Sequence, residues 1–313
     1  MEFHPYFGFL ITLKETLKLL PRNGKLLFSV TLISLLLSSI FFWIFNFSSF
    51  SLMRDMLAKE SLFPMTSSNS AEFASKLMGI KENFPLVLST YIAFVLAYLI
   101  IFFFSTITAV SVSAMSYNFK ILTSKELTLK FVKSCPRIFI TGFYTTILVT
   151  GYTFFVISLG TPLLMSSDLA ILGSAVLLEI LAYIFYLYIS VAWIMAIVLA
   201  VHEEIFGIQA LGKSAEIVKG NRLNGFMLNI FLNLLSLGIY LGSNMIRGNT
   251  RVSGQTISGL FLVNFSCLVK ILTFVIYTVF YFQCKKENGE ATEFHGSNVY
   301  SKIPTTPMVN DVP

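Results

Sequence analysis

Six long runs of low polarity dominate this sequence, at about 26–47, 86–110, 138–160, 175–201, 224–243 and 259–283. A helix of roughly 20 apolar residues crosses the ~30 Å hydrocarbon layer of a bilayer. No water is available there to backbone N–H and C=O groups, so a helix that satisfies its own is the economical solution. The runs therefore specify an all-α, polytopic membrane protein with about six transmembrane helices. The fourth run is the least sharply bounded, because low polarity extends back to Leu169.

Charge is scarce and unevenly placed. Charged residues make up 12% of the 313, against ~25% in a soluble domain, because an ionised side chain facing lipid is costly. Lysine and arginine gather before the first run, between the second and third, between the fourth and fifth, and after the sixth. That side holds fifteen of them and the other side six. Such a bias in short loops marks the cytosolic side, which predicts both termini in the cytosol. The net charge of +6 then belongs to topology, and no nucleic-acid partner is expected. The organisation is a cytosolic amphipathic segment (1–25), a six-span membrane domain (26–283) and a polar cytosolic tail (284–313), placed in an endomembrane or the plasma membrane. Residues 1–25 carry mixed charge and lack the short basic start of a cleavable signal peptide.

A threefold pattern precedes the odd-numbered spans. In the first unit Tyr6, Leu10, Leu13, Leu17 and Leu20 recur at helical spacing, with Lys14 and Lys18 off the stripe, followed by Pro21 and Arg22. In the second, Thr123 and Glu126 have the spacing of a capping box. Leu127, Phe131, Val132 and Cys135 share one arc and Lys125, Lys130 and Lys133 another, before the breaker Pro136 and Arg137. In the third, Ile208, Leu211, Ala215 and Val218 form the apolar stripe, and Gln209, Lys213 and Glu216 face elsewhere. Gly220 is placed to end that helix in a left-handed conformation, near Lys219 and ahead of Arg222. Helices of this kind lie in the membrane interface with their lysines toward the headgroups. The pattern predicts three cytosolic interfacial amphipathic helices, each leading a two-span hairpin.

Ionisable residues away from these helices are few. His202, Glu203 and Glu204 begin like HExxH, but Phe206 stands where the second histidine belongs, and no set of three or four converging metal ligands exists. They read as a boundary, the acids favouring the positive end of the following helix. Glu179 and Lys270 lie inside spans, where an ionisable residue is a functional candidate. They form an ion pair across an axial gap of roughly 12 Å, or else reach the interface separately by snorkelling. Asn229 and Asn233 share one face of the fifth span. Cys135, Cys267 and Cys284 form no framework; Cys135 and Cys284 are candidates for acylation at the cytosolic side. No phosphate loop, nucleophile elbow or carboxylate cluster occurs, so no catalytic residue, no cofactor and no metal is expected, and the chain is not expected to be an enzyme.

The stretch WIMAIVLAVHEEIFGIQALGKSAEIVKG (193–220), together with FGFLITLKETLKLL and SVSAMSYNFKILTSKELTLKFVKSCPRIFITGF, resembles a large family of plant six-span membrane proteins of unknown function. More faintly it resembles the membrane domain associated with glycerophosphoryl diester phosphodiesterases. The residues that carry the resemblance are Trp193, Glu203, Gly207, Ala210, Leu211, Ser214, Lys219 and Gly220; members usually have proline where this chain has Glu204. The resemblance implies the six-span architecture and supplies no reaction, because the catalytic part of those phosphodiesterases is a separate soluble domain.

These readings converge on a non-enzymatic membrane component whose basic helices engage anionic lipid headgroups and so organise or scaffold a membrane. The headgroup candidates are Lys14, Lys18, Arg22, Lys125, Lys130, Lys133, Arg137, Lys213, Lys219 and Arg222. Membrane lipids are the expected partners, with other membrane proteins admissible. The alternative is a transporter or channel using Glu179 and Lys270.

Overall fold

The computed structural model of the chain describes residues 8–19, 21, 24–60, 71–117, 124–164, 168–248 and 252–289. Among them the chain forms eight helices: α1 (Gly8–Leu19), α2 (Gly24–Glu60), α3 (Ala71–Tyr117), α4 (Ser124–Leu164), α5 (Leu169–His202), α6 (Gly207–Ile217), α7 (Arg222–Gly248) and α8 (Val252–Glu287). Six stretches are long and apolar enough to cross a membrane: Gly24–Ser48, Leu88–Tyr117, Leu129–Thr161, Leu169–His202, Arg222–Arg247 and Thr256–Glu287. The fold is an all-α integral membrane bundle. Alternate spans run in opposite directions, so α1, α6, the start of α4 and the ends of α3, α5 and α8 share one end of the bundle, here called the basic end.

The helix contacts follow one rule three times. Helices α3, α5 and α8 touch one another and form the centre. Each outer helix packs between the central helix that follows it in the chain and the one from the unit before: α2 against α3 and α8, α4 against α5 and α3, α7 against α8 and α5. The short helices obey the same rule. Helix α1 touches α8, α7 and α3, and α6 touches α5, α4 and α8, in each case the central and outer helices of the preceding unit and the central helix of its own. The threefold pattern of the sequence is therefore a threefold pattern of packing.

Lipid tails are as apolar as leucine, so helices in a membrane associate through close packing and hydrogen bonds more than through apolar burial. The centre shows this. Ser105, Thr106, Thr108, Ser111, Ser113 and Ser116 of α3 are all buried. All of these hydroxyls but that of Ser111 turn back onto their own helix, as in Thr108 to the Phe104 carbonyl at 2.6 Å and Ser113 to that of Ala109 at 2.6 Å. Small side chains let the backbones approach, and larger ones such as Met195, Leu199, Tyr277 and Phe280 fill the space between.

Three expectations need correction. Pro136 does not break the second unit: α4 is continuous from Ser124, because Pro136 and Val132, whose carbonyl loses its i+4 donor, both lie on the exposed side. The second amphipathic segment is thus the first turns of α4, while Thr123 lies outside the described residues. Gly220 does not adopt a left-handed conformation; the described glycines that do are Gly207 and Gly289. Helix α6 instead hands over to α7 through successive tight turns, with Lys219 N–H to the Glu216 carbonyl at 3.1 Å and Asn221 N–H to that of Val218 at 2.9 Å. On the short helices the apolar stripe and the side that meets the bundle coincide only in part, Val218 being buried. Helix α6 packs inward through Gly207, Ala210, Ser214 and Ile217, and Ile208 of the expected stripe is exposed. Likewise α1 buries Thr12 and Thr16 and leaves Leu10 and Leu17 outside. Finally, the acids at 203 and 204 do not start α6, whose first turn holds no acidic residue.

Candidate functional site

At the basic end the chain leaves α5 with a problem. Glu203 is the C-cap of α5, where the helix dipole opposes negative charge, and its side chain is 14% exposed. Three donors resolve it. Oε2 accepts from Lys213 Nζ of α6 at 2.7 Å, and Oε1 accepts from the Tyr281 hydroxyl at 2.6 Å and from Lys285 Nζ at 3.2 Å, both of α8. Burial pushes the Glu203 carboxyl up, but the hydrogen bonds from Lys213, Tyr281 and Lys285 outweigh it and hold the group at about 2, against an ordinary 4.5. Glu204, by contrast, is exposed and pairs with Arg137 at 3.1 Å. Of the three residues that read as a boundary, Glu203 is a hub joining α5, α6 and α8.

The linker that follows is fixed as closely. Gly207 has a φ of 64°, a region a side chain enters only at a cost. A Cβ there would lie 3.3 Å from the Tyr144 ring. Its N–H donates to Thr141 Oγ1 of α4 at 2.9 Å. Ser214 donates to the Ala192 carbonyl of α5 at 2.9 Å, with Ala210 fully buried beside it. Gly207, Ala210 and Ser214 pack α6 onto α4 and α5, Trp193 is buried on α5, and Leu211 is half-buried, whereas Lys219 and Gly220 are exposed. Gly8 repeats the role of Gly207, since α1 begins with a glycine against Asn224 in the first turn of α7.

The headgroup candidates divide into two sets. Lys14, Lys18, Lys133 and Lys219 are exposed; exposed Leu17 at 65% and Val132 at 63% neighbour the first three, and Ile208 at 66% opens the helix that precedes Lys219. The second set is engaged by the protein. Lys213 is held by Glu203, Arg137 by Glu204, and Arg222 reaches the Tyr188 hydroxyl at 3.4 Å. Lys130 is half-buried. Arg22 and the side chain of Lys125 lie outside the described residues.

Glu179 and Lys270 are not brought together. Lys270 Nζ donates to Ser105 Oγ at 2.9 Å and to the Phe102 carbonyl at 3.3 Å, with the Phe102 ring centroid 3.5 Å away, so α3 satisfies it. Glu179 lies between α4 and α5 against Gly160. The shared face of Asn229 and Asn233 is a tie between helices. Asn229, buried, donates to the Leu187 carbonyl at 2.9 Å and to Ser190 Oγ at 2.8 Å, and accepts from the Tyr277 hydroxyl at 2.5 Å. Asn233 accepts from Tyr183 at 3.1 Å. Cys284 is fully buried, which closes it to acylation in the folded protein. Among the described residues no group of three His, Cys, Asp or Glu side chains is placed to hold a metal ion.

Tyr281 and Lys285 were not singled out by their sequence. The available signal was an acid at the C-terminus of a long apolar helix, which demands donors from elsewhere. No curated protein matches the chain, and no solved structure does. One family does match, over residues 2–295, and it is described as Domain of unknown function (DUF8558). By a match that spans the bundle and the α5–α6 junction alike, the chain belongs to that family.

Proposed function

We propose that this chain is a non-enzymatic integral membrane protein whose basic end engages anionic lipid headgroups and so organises the membrane around it. The observation that supports this best is the pairing of exposed lysines with exposed apolar residues on the segments crossing that end: Lys14 and Lys18 with Leu17, Lys133 with Val132, and Lys219 in the turn after the helix that exposes Ile208. Such segments seat their apolar side chains among the upper acyl chains and lift their lysines to the phosphates. A lysine near an anionic surface contributes about 1 kcal/mol, so four contribute about 4 kcal/mol, or about a thousandfold in local lipid concentration. With the basic end in the cytosol, where anionic lipids concentrate, both termini lie on that side of an endomembrane or the plasma membrane. The resemblance to the plant six-span family, and to the membrane domain linked with glycerophosphoryl diester phosphodiesterases, fits a membrane module of this kind. The transport alternative rests on Glu179 and Lys270, which lie in separate environments, and on Asn229 and Asn233, which tie helices together.

The test is native mass spectrometry of the full chain from nanodiscs of phosphatidylcholine with about one-fifth phosphatidylserine, a composition typical of anionic leaflets. The wild type is expected to retain several phosphatidylserine molecules. The Lys14→Gln, Lys18→Gln, Lys133→Gln, Lys219→Gln variant is expected to lose most of them without a change in Tm. Equal retention by the two proteins overturns the reading.

A further inference from the structure

A second site lies in the half of the bundle away from the basic end. Helices α4 and α5 part there to leave a groove of about 420 Å³, lined by Val149, Tyr152, Ile157, Glu179, Tyr183 and Tyr186 among others. Exposure of Ile157 at 54% and of Tyr183 at 52% shows that it opens sideways, toward lipid. Its tyrosines form a continuous row. The Tyr152 and Tyr186 centroids are 5.9 Å apart and those of Tyr183 and Tyr186 6.4 Å apart, with the latter pair stacked. Two hydroxyls fix the row by donating, Tyr152 to the Ala182 carbonyl at 2.6 Å and Tyr183 to Asn233 at 3.1 Å.

Glu179 closes one end. Its carboxylate rests where Gly160 has no side chain: a Cβ at that position would stand 2.6 Å from Oε1. Among the described residues no hydrogen bond or ion pair reaches this carboxylate. Glu179 is exposed within the membrane-crossing stretch Leu169–His202, where an unpaired carboxylate is costly, and a cation in the groove would remove that cost. The electron-rich tyrosine faces favour an organic ammonium over a hydrated metal ion, and one carboxylate is too few ligands for a metal. From Glu179 to Tyr186 the groove follows α5 for about 10 Å at 1.5 Å per residue, enough for an alkyl chain to lie along Val149 and Ile157. Among the described residues no basic side chain lines it, so none of them would receive a phosphate.

We propose that the α4–α5 groove binds a long-chain amine entering from the bilayer, its ammonium between the Glu179 carboxylate and the tyrosine row and its chain along the apolar wall. The site is independent of the basic end.

The experiment uses the full chain in phosphatidylcholine nanodiscs with hexadecylamine at low mole fraction, read as adducts by native mass spectrometry. Hexadecanol and hexadecylphosphocholine serve as comparators. The wild type is expected to carry hexadecylamine and neither comparator, and Glu179→Gln is expected to lower occupancy about tenfold, the loss of one charge pair. Gly160→Ala keeps the carboxylate but displaces it, and is expected to weaken binding at unchanged Tm; it carries the test should Glu179→Gln fail to fold. The four-lysine variant at the basic end should bind the amine as the wild type does. Undiminished binding by both groove variants, or equal binding of hexadecanol or hexadecylphosphocholine, overturns the proposal.

Discussion

Glu203→Gln replaces a clamped carboxylate by a neutral amide of nearly the same shape, so it tests charge with little disturbance of packing. The wild-type group accepts from Lys213, Tyr281 and Lys285 at 2.7, 2.6 and 3.2 Å. The amide keeps one acceptor oxygen and points an NH₂ at the remaining donors. Hydrogen bonds to a charged group contribute about 1.5–3 kcal/mol each, and breaking a buried ion pair costs about 3–5 kcal/mol. The Lys213 and Lys285 side chains are 34% and 18% exposed, so both recover hydration, Lys213 the more. The net loss is then about 2–3 kcal/mol, or a fall in Tm of about 5–8 °C at the rate for chains of this size. The comparator is Glu204→Gln, whose exposed pair with Arg137 is worth less than about 1 kcal/mol. Thermal melts of both variants and the wild type in one detergent measure the difference.

The pH dependence sharpens the test. The folded-state value of about 2 lies below the ordinary 4.5. A depressed carboxylate contributes its stability in full above the unfolded value and loses it as pH falls through the folded one. The Tm gap between wild type and Glu203→Gln should therefore hold at neutral pH and shrink between about pH 4.5 and pH 2. A Glu203→Gln protein that melts no lower than Glu204→Gln, or a gap that stays constant through that window, refutes the hub.

Gly207→Ala forces a side chain into a left-handed backbone beside Tyr144 and should cost about 1–3 kcal/mol, read as a lowered Tm. Asn229→Leu leaves the fully buried Tyr277 hydroxyl without its acceptor and should cost about 1–3 kcal/mol; adding Tyr277→Phe should restore part of it, and an additive double variant would contradict the pairing. A membrane-permeant maleimide should leave fully buried Cys284 unmodified in the native protein and reach it only on unfolding, as peptide mapping before and after denaturation would show.

The spans were legible because the bilayer enforces length and apolarity on any helix that crosses it. What lies between helices was less so. Two of the three partners of Glu203, Tyr281 and Lys285, are 78 and 82 residues away along the chain, and Tyr281 sits in an apolar run that gives no sign of its hydroxyl's direction. The stripe of Ile208, Leu211, Ala215 and Val218 was visible, but not how it divides: beside lipid Ile208 can face outward at no loss while Val218 is buried, and close approach selects Ala210 and Ser214 for the protein side. Gly207 and Gly220 both flank α6, and only the geometry of the turn from α5 decides which one needs a positive φ. The tie from Lys270 to Ser105 joins residues 165 apart, and nothing local distinguishes Ser105 from the other hydroxyls of α3.

The packing rule has a consequence for biosynthesis. Helices α1 and α2, the first of the described helices to leave the ribosome, take their places against α8, the last. Until α8 has entered the bilayer, Thr12 lacks its Gln283 acceptor and the small-residue seam of α3 has one flank open to lipid. The nascent bundle is an unclosed ring, and one late event both completes its centre and seats its amino-terminal helix. Translation order thereby makes α8 the keystone of assembly, and a chain stalled before it would present the membrane's quality control with an open flank on α3 and an unseated α1.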